Sequence, residues 1–198
     1  MRLAFAVILS ALPWQALAQE VVAETSVDGR AAVLYADGTW EYSQEASGNC
    51  QTVARNVEFC GEGLGWESTL PPNADVAATY RYDDRHYGQM IIEELGIKDG
   101  LTEDMMLNTV IENAALVIGG SRADIEVMET YWTRVSNQSI RTIVYAFEID
   151  GLDVVYANGI RTSANRTMQL MTFSIGTQYT DRHRDLHAAF LSHIAIVK

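Results

Sequence analysis

The stretch from Ile125 to Ile175 constrains this chain more than any other, because it reads as four strands in succession joined by short turns. Ile125 to Arg134, Ser139 to Ile149, Leu152 to Thr162 and Thr167 to Ile175 are each rich in β-branched and aromatic residues. Asp150-Gly151 separates the second run from the third, and both residues tolerate the positive φ of a type I′ turn. Those two strands are therefore predicted to pair antiparallel in a fixed register. Asn158-Gly159 falls inside the third run, where a bulge keeps the strand whole and leaves the turn to Ser163–Arg166.

Before this run the pattern changes to a period of 3.6. Met106, Leu107, Val110, Ile111, Ala114, Val117 and Ile118 share one face, Thr102 supplies a cap, and Gly119-Gly120 stops the helix. Upstream, Ala77 to Tyr82 is strand-like, Asp83-Asp84 turns the chain, and Tyr87 to Leu95 fits either a second strand or a short helix. A closing helix is predicted from about Thr180, with Leu186, Phe190, Ile194 and Val197 as its apolar stripe. The order is two strands, helix, four strands, helix: an α+β fold in which two main helices pack against an antiparallel sheet.

Ahead of this unit lies a smaller one, over 19–43. Asp28-Gly29 and Asp37-Gly38 sit between strand-like runs and predict a three-stranded meander, with Val33, Tyr35, Trp40 and Tyr42 as packing residues. So small a meander is marginal alone and must pack on something else. Residues 44–49 have linker composition, and the main domain is expected over 50–198.

Arg2, the apolar run Leu3 to Leu12, and Ala16-Leu17-Ala18 follow the order of a cleaved secretory signal over 1–18, with Gln19 as the mature N-terminus. The expected location is periplasmic or secreted. No later stretch reaches the ~20 apolar residues of a membrane span, so the protein is not expected to be integral to a membrane. Cys50 and Cys60 are the only cysteines and, in an exported chain, predict one disulfide. The charge balance, 14 basic against 26 acidic residues, repels nucleic acid and anionic lipid.

The main unit, about 55–197, resembles the PsbP/Mog-type superfamily in element order: early strands around Gly65-Trp66 and Ala77 to Leu95, a capped helix after Asp99-Gly100-Leu101-Thr102, the long strand run, and a terminal helix. The resemblance implies an antiparallel sheet between helices and a role as an accessory or binding protein. It brings no common catalytic set to these positions. The DGR…DGTWEY segment (28–42) separately resembles a short hairpin unit of bacterial exported proteins.

Two groups of side chains are candidates for chemistry. Tyr80, Tyr82, His86 and Tyr87, interleaved with charges, suit a polar aromatic groove for a small ligand or a protein. His183 and His187 stand four apart on the closing helix, a spacing that can chelate a metal, with Asp181, His193 or a distant group as third ligand. The Glu of an H-E-x-x-H motif is missing, and both imidazoles fall on the apolar stripe. No G-x-S-x-G elbow and no phosphate-binding loop is present. The expectation is an exported, non-enzymatic binding or accessory protein of the bacterial envelope with no cofactor, taking an unidentified protein or small ligand. A metal-dependent hydrolase using His183 and His187 is the alternative.

Overall fold

A computed structural model describes residues 21–27, 30–42, 49–135 and 138–196. The expected leader, the Asp28-Gly29 turn, residue 43 of the expected meander, residues 44–48 of the expected linker and Val197 lie outside the described residues. Among the described residues no helix is long and apolar enough to cross a membrane.

The antiparallel strands predicted from Ile125 onward form: β9 (Glu126–Val135), β10 (Gln138–Ile149), β11 (Leu152–Thr162) and β12 (Thr167–Ile175). Asp150 and Gly151 take φ of 52° and 78°, the type I′ geometry, and Ile149 faces Leu152 across the turn. The register then runs without a shift from Ile149↔Leu152 to Arg141↔Ile160. The bulge expected at Asn158-Gly159 is thus absent. Both residues have another reason to be there: Asn158 Nδ2 donates to Gln169 Oε1 at 3.0 Å in the interior, and a Cβ on residue 159 would lie 3.0 Å from Ile140 Cγ2.

Upstream, β7 (Ala78–Arg81) and β8 (His86–Glu93) are joined by the Asp83-Asp84 turn, and β8 settles the strand-or-helix alternative in favour of a strand. With β6 (Glu67–Thr69) these strands make one seven-stranded antiparallel sheet, ordered β6-β7-β8-β12-β11-β10-β9. Helix α1 (Glu103–Val117) begins where Thr102 Oγ1 accepts from the Met105 N–H, and Gly119 ends it at φ 65°. Its buried residues pack on Ile143, Tyr145, Phe147 and Ile160 of one sheet face. Val117, expected on that apolar face, is exposed.

Helix α2 (Asp181–Ser192) covers the opposite face. It is shorter than the apolar stripe suggested. His193 caps it, and Ile194 belongs instead to a strand, β13 (Ile194–Ile196). That strand pairs with β5 (Val57–Glu62), which pairs in turn with β4 (Asn49–Ala54) in a second antiparallel sheet. Phe59 of β5 stacks on Tyr80 at 3.9 Å and meets Phe190 of α2 at 5.1 Å between ring centroids. Phe190 reaches the large sheet only because residue 88 is glycine, where an added Cβ would stand 2.5 Å from its ring.

Cys50 and Cys60 are joined, as expected, although the bridge spans the β4–β5 hairpin and not an irregular loop. Closing so short a loop is worth about 3 kcal/mol in the chain-entropy model. Cys50→Ala/Cys60→Ala is therefore expected to lower the unfolding free energy by that amount, read from urea denaturation, and a reductant should reproduce the effect in the wild-type protein.

The third sheet is the N-terminal meander of β1 (Val21–Val27), β2 (Arg30–Tyr35) and β3 (Trp40–Tyr42). Asp37-Gly38 closes β2 on β3, but only Gly38 has positive φ, so this is not the type I′ turn predicted. Asp37 Oδ1 instead accepts from the Thr39 N–H at 2.8 Å, an Asx turn.

Candidate functional site

Sheet register decides which of the candidate side chains can meet. Cross-strand pairs run from Thr167↔Glu93 to Ser174↔His86, and Val154 pairs with Ile175. The β7–β8 turn, the β10–β11 hairpin and the exit of β12 therefore share one end of the sheet, while Ser163–Arg166 and Leu95 lie at the other. Successive residues point to opposite faces, so His86 and Ser174 turn toward α2, and Tyr87 and Phe173 away from it.

The four residues expected to line one groove are thus split. Tyr80 is 1% exposed and stacked in the core on Phe59, which explains its phenol being pushed up to about 12 by burial and by Glu62. Tyr87 stacks on Phe173 at 5.2 Å, on the far face. Only Tyr82 and His86 remain beside open space. Alternation along β8 separates His86 from Tyr87, which the linear sequence places side by side, whereas Tyr80 and Tyr82 differ in that Tyr82 lies just past the end of β7 and is exposed.

Asp83 organises the turn. Its Oδ1 accepts from the backbone N–H groups of Arg85 (2.8 Å) and His86 (2.9 Å) and from His86 Nδ1 (2.7 Å). Burial pushes this carboxyl upward, but the bonds from Arg85 and His86 outweigh it and hold it below the ordinary value. Asp83, expected only to help turn the chain, is a half-buried acceptor that takes the Nδ1–H of His86 and so orients the ring.

Across from His86 stands His183, with ring centroids 5.4 Å apart. His183 is the third residue of α2 and completes its cap: its Nδ1 accepts from the Thr180 N–H at 3.1 Å. A neutral ring bonded this way carries its proton on Nε2, which lies 3.0 Å from Ser174 Oγ. His183 therefore gives a proton toward Ser174, the reverse of what a general base for a serine nucleophile must do. Ser174 is itself buried and borders only a crevice of about 10 Å³.

His187, one turn on, is wholly buried and bonded through Nδ1 to Thr172 Oγ1 at 2.9 Å. Burial alone pushes its titration down to about 3. The metal alternative is not favoured by this arrangement. Among the described residues, His183, His187 and Asp181 form no group of donors converging on one point; both ring nitrogens of His183 and the Nδ1 of His187 are engaged by sheet hydroxyls and a backbone amide. The one convergent group among the described residues, Cys50, Glu58 and Cys60, contains the disulfide, whose sulfurs are not thiolate ligands.

Two open clefts flank the turn. One, about 380 Å³, is lined by Gly63, Gly65, Trp66, Glu67, Arg81 and Tyr82 together with Asp83 and Asp84. Tyr82 is 42% exposed and leans on Trp66 at 5.1 Å. The other, about 420 Å³, is bordered by Arg85, His86, Arg182 and His183. Neither Trp66 nor the arginines were picked out from sequence. The Gly-rich GEGLGW run that delivers Trp66 carried no ligand-binding fingerprint, and Arg182 reaches the site from 96 positions beyond His86 by a helix packed across the sheet.

No protein-family model and no curated protein matches the chain. Two of the solved structures similar to it are as follows. One is the solution structure of cyanobacterial PsbP (CyanoP) from Synechocystis sp. PCC 6803, with a TM-score of 0.48 and 17% identity over 71% of this chain and 86% of that one. The other is a crystal structure from Bacteroides thetaiotaomicron VPI-5482, with a TM-score of 0.49 and 8% identity over 77% of this chain. The chain spans 49% of that protein's length. A PsbP structure thus stands among those similar to this chain, and the similarity is one of fold.

Proposed function

We propose that the chain is an exported, non-enzymatic binding or accessory protein of the bacterial envelope, which takes a protein or small ligand at the end of the sheet occupied by the β7–β8 turn. The observation that carries this reading is that one short, well-tied turn separates two open clefts, one aromatic and one basic. Binding sites favour such loops because a rigid sheet fixes their side chains while leaving them in contact with solvent. The direction of the His183–Ser174 hydrogen bond supports recognition over hydrolysis.

Hydrogen exchange tests this directly. Adding a phosphate-free envelope extract from the native host is expected to slow exchange in peptides spanning 81–86 and 175–183. Peptides spanning 163–166, at the opposite end, should be unchanged. Equal protection at both ends, or none at the turn, would remove the site from consideration.

A further inference from the structure

The cleft beside α2 is chemically one-sided. It is bordered by Arg85, His86, Arg182 and His183, with Gln178 and Thr180 as further polar groups, and among the described residues no carboxylate lines it. A chain of 14 basic and 26 acidic residues, with four histidines in all, has gathered two arginines and two histidines at one opening. We infer that this cleft is a site for an oxyanion, a carboxylate or a phosphate group carried by the ligand. The inference rests on the reading of this end of the sheet as the binding surface and names the chemistry that the surface takes.

The groups are set up for that chemistry in different ways. Arg85 is held in place, its Nη2 donating to the Ile175 carbonyl at 2.6 Å, which leaves its other guanidinium donors for an anion. Arg182 is 70% exposed and its contact with Asp83 is loose, at 3.4 Å. Exposed pairs of this kind are worth about 0–1 kcal/mol, so an incoming oxyanion can recruit Arg182 at little cost.

His86 is 8% exposed, and the Asp83 carboxylate binds its Nδ1–H. Its Nε2 makes no hydrogen bond to a described residue, and the residue lines the cleft beside Arg85 and His183. His183 feels the same field: burial first, then His86, Arg182 and Arg85, hold its titration below the ordinary value. Among the described residues Asp83 is the one carboxylate paired with this cluster, and it is already engaged by His86 and the turn amides. Bidentate arginine with imidazolium suits a planar carboxylate and a phosphate alike.

The test is a nuclear magnetic resonance titration of the isotopically labelled protein. Sodium phosphate and sodium succinate are added in separate arms, with chloride holding ionic strength constant, and the imidazole Cε1–H signals are followed. Saturating shifts are expected at His86, His183 and the amides of 176–182, while buried His187 stays still. By linkage, saturating anion should raise the pH at which His183 titrates. Arg85→Gln/Arg182→Gln should weaken binding at least tenfold, and the tighter arm tells phosphate from carboxylate.

Linear, unsaturable shifts with both anions would overturn the inference, as would unchanged affinity in a folded double variant. Should that variant not fold, the wild-type protein decides: no rise in the His183 titration means no site. Failure of both anions, with extract still protecting 81–86, would sink the oxyanion site alone. Anion binding without protection by the extract would uphold the oxyanion site and remove the partner reading.

Discussion

Phe190→Ala is expected to destabilise the protein by about 3–5 kcal/mol, the range for emptying a well-packed aromatic site in a core. Phe190 has no solvent exposure and meets Phe59 at 5.1 Å, Trp66 at 4.9 Å and Tyr80 at 6.1 Å between ring centroids. It therefore joins three elements: helix α2, the β4–β5–β13 sheet and the large sheet. Gly88 has no side chain with which to fill the space left behind. Urea denaturation of the variant gives the number, and a loss below about 1 kcal/mol would mean that the second sheet is not held through this ring. The same variant should blur the His86–His183 contact, because α2 carries Arg182 and His183 into the cleft.

Acid is expected to be the second large lever. His187 is buried and neutral, its titration pushed down to about 3 by burial, whereas an unfolded histidine titrates near ~6.5. Below that value the unfolded chain takes up a proton that the folded chain refuses. The contribution is thus fully present above pH ~6.5 and declines by about 1.4 kcal/mol per pH unit as acid is added, until the folded group itself titrates.

Asp83 acts in the same sense, since its lowered carboxyl stabilises the fold above the ordinary carboxylate range and stops doing so as pH falls through its folded value. His183 adds a smaller share in the same direction because solvent screens it. From pH 7 to pH 4.5 the stability should fall by about 2–3 kcal/mol. Chemical denaturation across that window, repeated on His187→Leu, isolates the histidine. The variant's profile should be markedly flatter, and an identical slope would show that other groups cause the acid lability.

What could be read along the chain was read where the signal is local. A type I′ turn needs two residues of positive φ in a row, and Asp150-Gly151 announces it wherever the hairpin ends up packing. Helix α1 declares itself through a threonine cap, a 3.6-residue period and a glycine stop, all within 18 residues of sequence. The β4–β5 hairpin is not legible in the sequence although Val57, Phe59 and Gly61 alternate inward, because its turn places Asn56 at φ 62° with no glycine beside it to mark the reversal. β13 was folded into the helical stripe for a different reason: Ile194 satisfies a helical period and a strand alternation equally, and only pairing with Phe59 chooses between them.

The amino-acid sequence by itself determined the strand run, the two helices, the antiparallel connection and the disulfide partners, since each depends on backbone preferences and on residues near one another in the chain. The tertiary structure alone decided that Tyr80 is core and Tyr87 lies on the far face, that Asp83 orients His86, and that His86 meets His183. Those outcomes turn on which face of a strand is covered and on which helix end crosses it. Both are set by the summed burial of distant side chains, a quantity that no local window of sequence contains.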